Sequence, residues 1–382
     1  MNENVLMSNI VPLNPALHGL RGFAAMWVLM FHWSFFFPAI NNWLVTMSFG
    51  PKIWMNLSLP LAVGGQGVSL FFVLSAYLLT TQWLHRPLTS ETIAKFWKRR
   101  FLRIYPAVWF QLILLIAISN FFYPVIKSIS LWEFIRNASL WIYLPPTMSE
   151  PINGVWWTLP IELMFYLVLP LLIFLQHRWN WKLVVLLCLL TTLLWRLGVR
   201  WYYPGRDLSQ VLFVLSALPG VLFTFAAGFA LAFIPISVQK NKLAYWLIFL
   251  SAAYFLLEYA QWENLATYWR GSALLMVWEI WLAVLVAIAV YLVLGWPYKL
   301  NIFKHPLMIW CGNLSFGIYL WHYPVLQFSH EHWPPDWGWG RAGSIVALAL
   351  CLAITFGLAA ISYYAIERPL MGWAKKGEAL AR

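Results

Sequence analysis

Long apolar runs recur along the whole chain, each close to the roughly 20 residues a helix needs to cross hydrocarbon, and short polar or aromatic segments separate them. They predict spanning helices near 18–38, 60–84, 104–123, 155–176, 181–200, 210–235, 243–261, 272–295, 306–328 and 343–366. The expected architecture is an all-α integral membrane protein, one domain over residues 1–382, with about ten transmembrane helices in a single bundle. The connections are too short to fold a separate soluble catalytic domain. Any chemistry must therefore be built from the bundle and its loops. The first apolar run is too long for a signal-peptide core and lacks a small-residue cleavage site, so it is expected to remain as the first helix.

Composition sharpens this. Hydrophobic residues make up 62% of the chain and charged ones 10%, against roughly a quarter charged in soluble domains. The formal charge of +12 does not call for nucleic acid. With the N-terminus inside, most Lys and Arg fall on one face, above all the cluster within 85–103 and the tail after 366, so both termini are expected in the cytoplasm. Trp and Tyr crowd the span ends, as in Trp156-Trp157, Trp201-Tyr202-Tyr203 and Trp337-Gly338-Trp339. Interfacial anchoring is their default reading, with rings near the outer face also able to hold sugar rings. Cys188, Cys311 and Cys351 lie inside apolar runs without metal-ligand spacing, and no metal site is expected.

An ionisable side chain at membrane depth costs a few kcal/mol and needs a partner or a job. Arg21 opens the first run and His32 lies within it. Eleven steps of about 100° leave the two side chains about 20° apart on one helix face, and the rise is about 16 Å. That geometry suits a ligand entering from the cytoplasm, with a guanidinium for phosphate or carbonyl oxygen and an imidazole for proton transfer. A snorkelling Arg with a packed core His fits the same pattern. Glu162 lies a few residues into the fourth run, with Tyr166 one turn further on the same face. A carboxylate there must be paired or protonated; in catalysis it would orient or charge-balance the His or hold an acceptor hydroxyl, and as a structural group it would only bind a neighbouring helix. Glu279 is a second intramembrane carboxylate, a candidate lining for the acceptor path. Gly64-Gly65-Gln66-Gly67 lets backbones approach closely. Lys95, Arg99 and Arg103, spaced by four, form one basic stripe if helical, either a topology signal or a dock for a polyanionic cofactor. His322 lies toward the outer end of the ninth run, and Glu367-Arg368-Pro369 reads as a helix end with a local ion pair.

Taken in order, these segments resemble the acyltransferase-3 family of multispanning membrane acyltransferases. Arg21 and His32 match its Arg or Lys, ten residues, His pattern. Gly67 to Tyr77 is similar to its Gly-Val-x-x-Phe-Phe-Val-Leu-Ser-Gly segment, with Ala76 in place of the last Gly. Arg99, Arg100 and Arg103 resemble its basic motif. Trp157-Thr158-Leu159, Glu162 and Phe165-Tyr166 resemble its Trp-Ser-Leu, Glu, Phe-Tyr motif, with Thr158 in place of Ser. Tyr319-Leu320-Trp321-His322-Tyr323-Pro324 resembles its late Tyr-Leu-x-His-x-Pro. The resemblance implies transfer of an acetyl or other short acyl group from cytoplasmic acyl-CoA, most simply acetyl-CoA, to a hydroxyl of an envelope polysaccharide or glycolipid. It implies His32, Arg21 and Glu162 in catalysis; Lys98, Arg99, Arg100, Arg103 and Ser75 at the donor; and Tyr166, Trp157, His322 and Glu279 toward the acceptor. The resemblance implies a bacterial inner membrane, and without a hydrolase-like stretch after the last run the chain is expected to resemble the stand-alone members. The partners implied are acyl-CoA, the glycan or glycolipid acceptor and membrane lipid, with homo-oligomerisation left open. A transporter or flippase of a glycolipid or small anion is the competing reading, because intramembrane Arg, His and Glu also line transport paths; it predicts inverted repeats, and none is visible.

Overall fold

A computed structural model of the chain describes residues 14–39, 59–84, 86–122, 129–144, 150–236, 246–247, 250–251, 273–295, 301–332 and 340–373. The described regular structure is all-helical. Its main helices are α1 (Pro15–Phe36), α2 (Gly67–Trp83), α3 (Ser90–Phe122), α4 (Leu131–Ser139), α5 (Thr158–Arg178), α6 (Trp181–Tyr202), α7 (Leu218–Leu231), α8 (Ala273–Gly295), α9 (Pro306–His332) and α10 (Arg341–Ile361).

Local chemistry sets several of the starts. Asn14 caps α1 by accepting from the Ala16 amide, with Pro15 in the first turn where its missing N–H is harmless. Asn180 caps α6 through the Leu183 amide, and Ser130 with Glu133 forms a reciprocal capping box on α4. Asn153 caps the single turn Gly154–Trp157 that feeds α5.

Six described segments are long and apolar enough to cross a membrane: Gly64–Trp83, Ser90–Ile118, Gly154–Arg178, Trp181–Tyr202, Leu275–Gly295 and Arg341–Trp373. Helices α1 and α9 have 22 and 27 residues, enough to span at 1.5 Å per residue, but their His, Arg, Asn, Ser and Gly residues dilute the apolar character. Those two helices pack more extensively on each other than any other pair. A Cβ on Gly312 of α9 would lie 1.9 Å from the His18 carbonyl oxygen, and one on Gly22 of α1 2.8 Å from the Gly312 amide nitrogen. The small residues thus bring backbone against backbone. Gly67 approaches the Ala24 carbonyl of α1 in the same way.

Three boundaries differ from the hydropathy reading. The run expected at 104–123 begins fourteen residues earlier: α3 is a single helix of 33 residues with the basic segment as its first turns and Pro106 inside it. The run expected at 210–235 is broken into a turn at Leu208–Val211, a second at Leu212–Leu215 and the 14-residue α7. Pro219 in the first turn of α7 explains the break, since it starts a helix readily but cannot continue one. The last run continues past α10 through a π-helical stretch, Ser362–Glu367. The run expected at 243–261 lies outside the described residues apart from 246–247 and 250–251.

Candidate active site

The α1–α9 contact sets the centre of the site. His322 of α9 is fully buried, and its Nδ1 lies 3.0 Å from the Ile318 carbonyl one turn back. A carbonyl can only accept, so Nδ1 carries the proton, and in the neutral ring Nε2 is an acceptor. That Nε2 lies 3.1 Å from Nδ1 of His32, which therefore donates. The same His32 Nδ1–H is shared with the Val28 carbonyl at 3.0 Å. The chain of acceptors leaves the lone pair of His32 on Nε2. Two imidazoles from opposite ends of the sequence are thus held in a fixed tautomeric order. Tyr323 stands edge-on to His32, with ring centres 5.2 Å apart, and Phe36 packs on Tyr323 in turn.

Toward the N-terminal end of α1, three cavities follow one another, each lined in part by Arg21. The largest, about 280 Å³, is bounded by Arg21, Arg99, Arg100 and Arg103 with His18 and Asn313. The next, about 90 Å³, joins Arg21, Arg100 and Arg103 to Ser75, Glu162 and Tyr166. The third, about 40 Å³, runs from Arg21 and Glu162 to Thr158, Ser315 and Tyr319. Tyr319 closes the sequence of cavities: its hydroxyl donates to the Val155 carbonyl at 2.8 Å and meets Thr158 Oγ1 at 2.8 Å, and its ring centre is 5.8 Å from that of His322. A guanidinium-rich mouth with a polar lining further in can hold phosphate and then a carbonyl-bearing arm.

Glu162 does not stand against His32, as its expected role in orienting the imidazole required. Its Oε1 accepts from Ser75 Oγ at 3.2 Å and from the Tyr166 hydroxyl. It shares its cavities with Arg21, while the group beside His32 is His322. The carboxylate therefore faces the guanidiniums and does not hold the imidazole.

The basic stripe also divides. Lys95 pairs with Glu91 on the surface. Lys98 is exposed, its ammonium 5.1 Å from the Trp373 ring centre, and lines none of the three cavities. Arg103 donates to Glu367 at 2.9 Å, so Glu367 reaches across to α3 and makes no merely local pair. Ser362 Oγ donates to the other carboxylate oxygen of Glu367 at 3.2 Å. Trp157 packs on Phe213 and lines none of these cavities. Glu279 lies on α8 within electrostatic reach of Arg196 of α6, whose guanidinium donates to the Leu275 and Met276 carbonyls. It lines none of the three cavities. His18, Asn313, Tyr319 and Glu367 were not singled out for the site by sequence. His18 shares the Arg21 face, three residues earlier, and offered a local signal. The others depend on contacts between distant helices.

The acyltransferase-3 profile, described as an acyltransferase domain, matches residues 14–364. The chain belongs to this family. Among curated relatives, it is 29% identical over 398 residues to the peptidoglycan O-acetyltransferase OatA of Listeria monocytogenes, a match covering 93% of this chain and 55% of the relative. It is 27% identical over 399 residues to the O-acetyltransferase OatA of Staphylococcus aureus (strain NCTC 8325), covering 95% of this chain and 57% of that protein. The chain thus spans little more than half the length of these relatives. No solved structure matches.

Proposed function

We propose that this protein is a membrane O-acetyltransferase that moves an acetyl group from cytoplasmic acetyl-CoA to a hydroxyl of an envelope glycan. Peptidoglycan is the first acceptor to test, because the Listeria relative carries it in its name. The observation that carries the reading is the succession of cavities sharing Arg21, which leads from three further arginines toward Tyr319 and the His32–His322 pair. In this reading the chain crosses the inner membrane about ten times, with α1 and α9 among the crossings and both termini in the cytoplasm.

The CoA phosphates dock at Arg99, Arg100 and Arg103, and Arg21 receives the acyl-pantetheine arm. The acceptor approaches from the Tyr323 and Phe36 side. Nε2 of His32 takes the proton of the acceptor hydroxyl as its oxygen attacks the thioester carbonyl. The carbon–sulfur bond breaks, and the departing thiolate takes the proton back from His32. The products are the O-acetyl ester and CoA with a free thiol, and the base is restored. His322 Nε2 accepts from Nδ1 of the transient imidazolium and stabilises it, as a carboxylate does in hydrolytic triads.

The test uses protein reconstituted in liposomes with acetyl-CoA inside and peptidoglycan fragments outside. Free CoA thiol is expected only when acceptor is present, with ester recovered on the glycan by mass spectrometry. His32→Ala is expected to lose about two to four powers of ten in rate while remaining inserted and folded. Acceptor-independent thiol release, or unchanged transfer by His32→Ala, overturns the mechanism.

A further inference from the structure

His322 lies in the turn of α9 just before Pro324, and that proline changes the backbone accounting. In an uninterrupted helix the amide of residue 324 donates to the carbonyl of residue 320. Proline has no N–H, and its ring crowds the carbonyl four residues back. The Leu320 carbonyl, on a fully buried residue, is therefore without its helical donor.

Two side chains from other elements supply replacements. Gln111 Nε2 of α3 donates to the Leu320 oxygen at 2.7 Å, and Asn153 Nδ2 donates to it at 2.9 Å. Both residues are almost wholly buried. Their amide orientations follow from the remaining partners. Gln111 Oε1 accepts from the Trp156 indole at 2.9 Å, a group that can only donate, and from Asn153 Nδ2 at 3.2 Å. Asn153 Oδ1 accepts from the Val155 amide at 3.2 Å. The two amides are thus oriented so that both NH2 groups face one carbonyl.

Helix α5 uses the same device. Pro170 deprives the Tyr166 carbonyl of its helical donor, and the indole of Trp97, again on α3, donates to it at 3.0 Å. Helix α3 thereby holds both proline-interrupted helices, the one bearing Glu162 and Tyr166 and the one bearing His322.

We infer that Gln111 and Asn153 are positioning residues for acyl transfer: by holding the Leu320 carbonyl freed at Pro324, they fix this turn of α9 at the register that sets His322 against His32. This rests on the proposed acyltransferase reading. The same clamp ties α9 to the Asn153–Thr158 segment, from which Thr158 and the Val155 carbonyl meet the Tyr319 hydroxyl. The turn that carries Tyr319 and His322 is thus fastened on its outer side while His32 meets it on the inner side.

The test compares Gln111→Leu, Pro324→Ala and the double variant in liposomes, with wild type alongside. Gln111→Leu removes both functions of the amide at similar volume; Pro324→Ala returns a backbone donor to Leu320. Pro324→Ala is expected to fold with a Tm at or above wild type yet lose roughly ten- to hundredfold in kcat, with KM for acetyl-CoA unchanged, as befits misplacement by a fraction of a helical turn. In the double variant the Leu320 carbonyl gains the backbone donor beside Asn153 while the Trp156 indole still lacks its acceptor, so only part of the Tm lost in Gln111→Leu is expected to return while kcat stays low. Wild-type kcat in Pro324→Ala, or recovery of kcat together with Tm in the double variant, shows that the clamp only satisfies a carbonyl and overturns the inference. If Gln111→Leu does not fold, the Pro324→Ala and double variants decide the matter alone.

Nitrogen NMR of isotope-labelled histidine gives a readout independent of turnover. In wild type both rings are expected as single tautomers with Nε2 unprotonated, and in Pro324→Ala as mixtures. Fixed tautomers that persist in Pro324→Ala overturn the positioning role. A wild type that transfers no acetyl group would sink the functional reading, leaving the tautomer result to judge the clamp.

Discussion

Nδ1 of His32 and Nε2 of His322 lie 3.1 Å apart although 290 residues separate them. The order of donors and acceptors runs one way, from Nδ1–H of His32 into His322, whose own Nδ1–H is spent on the Ile318 carbonyl. A pair arranged so has one free lone pair for chemistry, and it belongs to His32. In the proposed mechanism His322 orients and stabilises, and His32 exchanges protons with substrate.

That division of labour is testable by non-additivity. His322→Phe keeps a ring in the buried site but removes the acceptor for Nδ1–H, which then relies on Val28 alone. The rate is expected to fall by up to about a hundredfold, less than the loss in His32→Ala. Groups that act as one unit do not add, so the double variant should be no slower than His32→Ala. Clearly additive losses in kcat would show that the two rings work separately.

Arg21 lines all three cavities along the proposed donor path. Lysine keeps the charge but is a point charge without the planar fork. Losing one charge-assisted hydrogen bond costs about 1.5 kcal/mol, or roughly tenfold in binding. Arg21→Lys is therefore expected to raise KM for acetyl-CoA about tenfold, and Arg21→Gln more. The acceptor KM should not move. An effect confined to the acceptor would place Arg21 elsewhere on the reaction path.

Arg103 and Glu367 offer an energetic test of how the basic mouth is held. The carboxylate is almost fully buried, while the guanidinium keeps about a fifth of its surface exposed. Breaking a buried pair from one side leaves an unpartnered charge and costs about 3–5 kcal/mol; partial exposure of Arg103 lowers the expectation to about 2 kcal/mol. Glu367→Ala and Arg103→Ala should each destabilise, and a double-mutant cycle should return a coupling of about 1–2 kcal/mol. Additive losses in denaturation midpoint would mean that the contact contributes nothing.

Sequence made the helical membrane class, Arg21, His32 and the carboxylate at 162 legible because each is a local signal: apolar length, an eleven-residue offset, a charge where charge is costly. The pairing of rings was hidden, since nothing near His32 points to a partner on α9, and the nearest intramembrane carboxylate was the natural choice. Glu162 is instead engaged by Ser75, one helix away, and by Tyr166, which the four-residue spacing did reveal. The basic stripe was legible as a helix face, but Lys95 is taken by the acid four residues earlier and Lys98 turns outward. Arg103 is held by a residue 264 positions away, beyond the reach of any periodicity. Pro324 announced a freed carbonyl at Leu320, yet not which side chains receive it.

The glycine at 312 provides a test of the scaffold itself. A methyl group there would lie 1.9 Å from the His18 carbonyl oxygen and 2.4 Å from its carbon, and backbone cannot rotate away as a side chain can. Gly312→Ala must therefore push α9 off α1, and the displacement acts on the interface that holds His322 against His32. Interdigitated interiors transmit such strain instead of absorbing it, so overpacking is expected to cost about 1–3 kcal/mol and most of the activity. Gly357 has nothing within 4 Å of a built Cβ, and Gly357→Ala is the matched control, expected to leave both Tm and transfer near wild type. Equal behaviour of the two variants in thermal unfolding and in acetyl transfer would show that the tight α1–α9 approach is dispensable to the site.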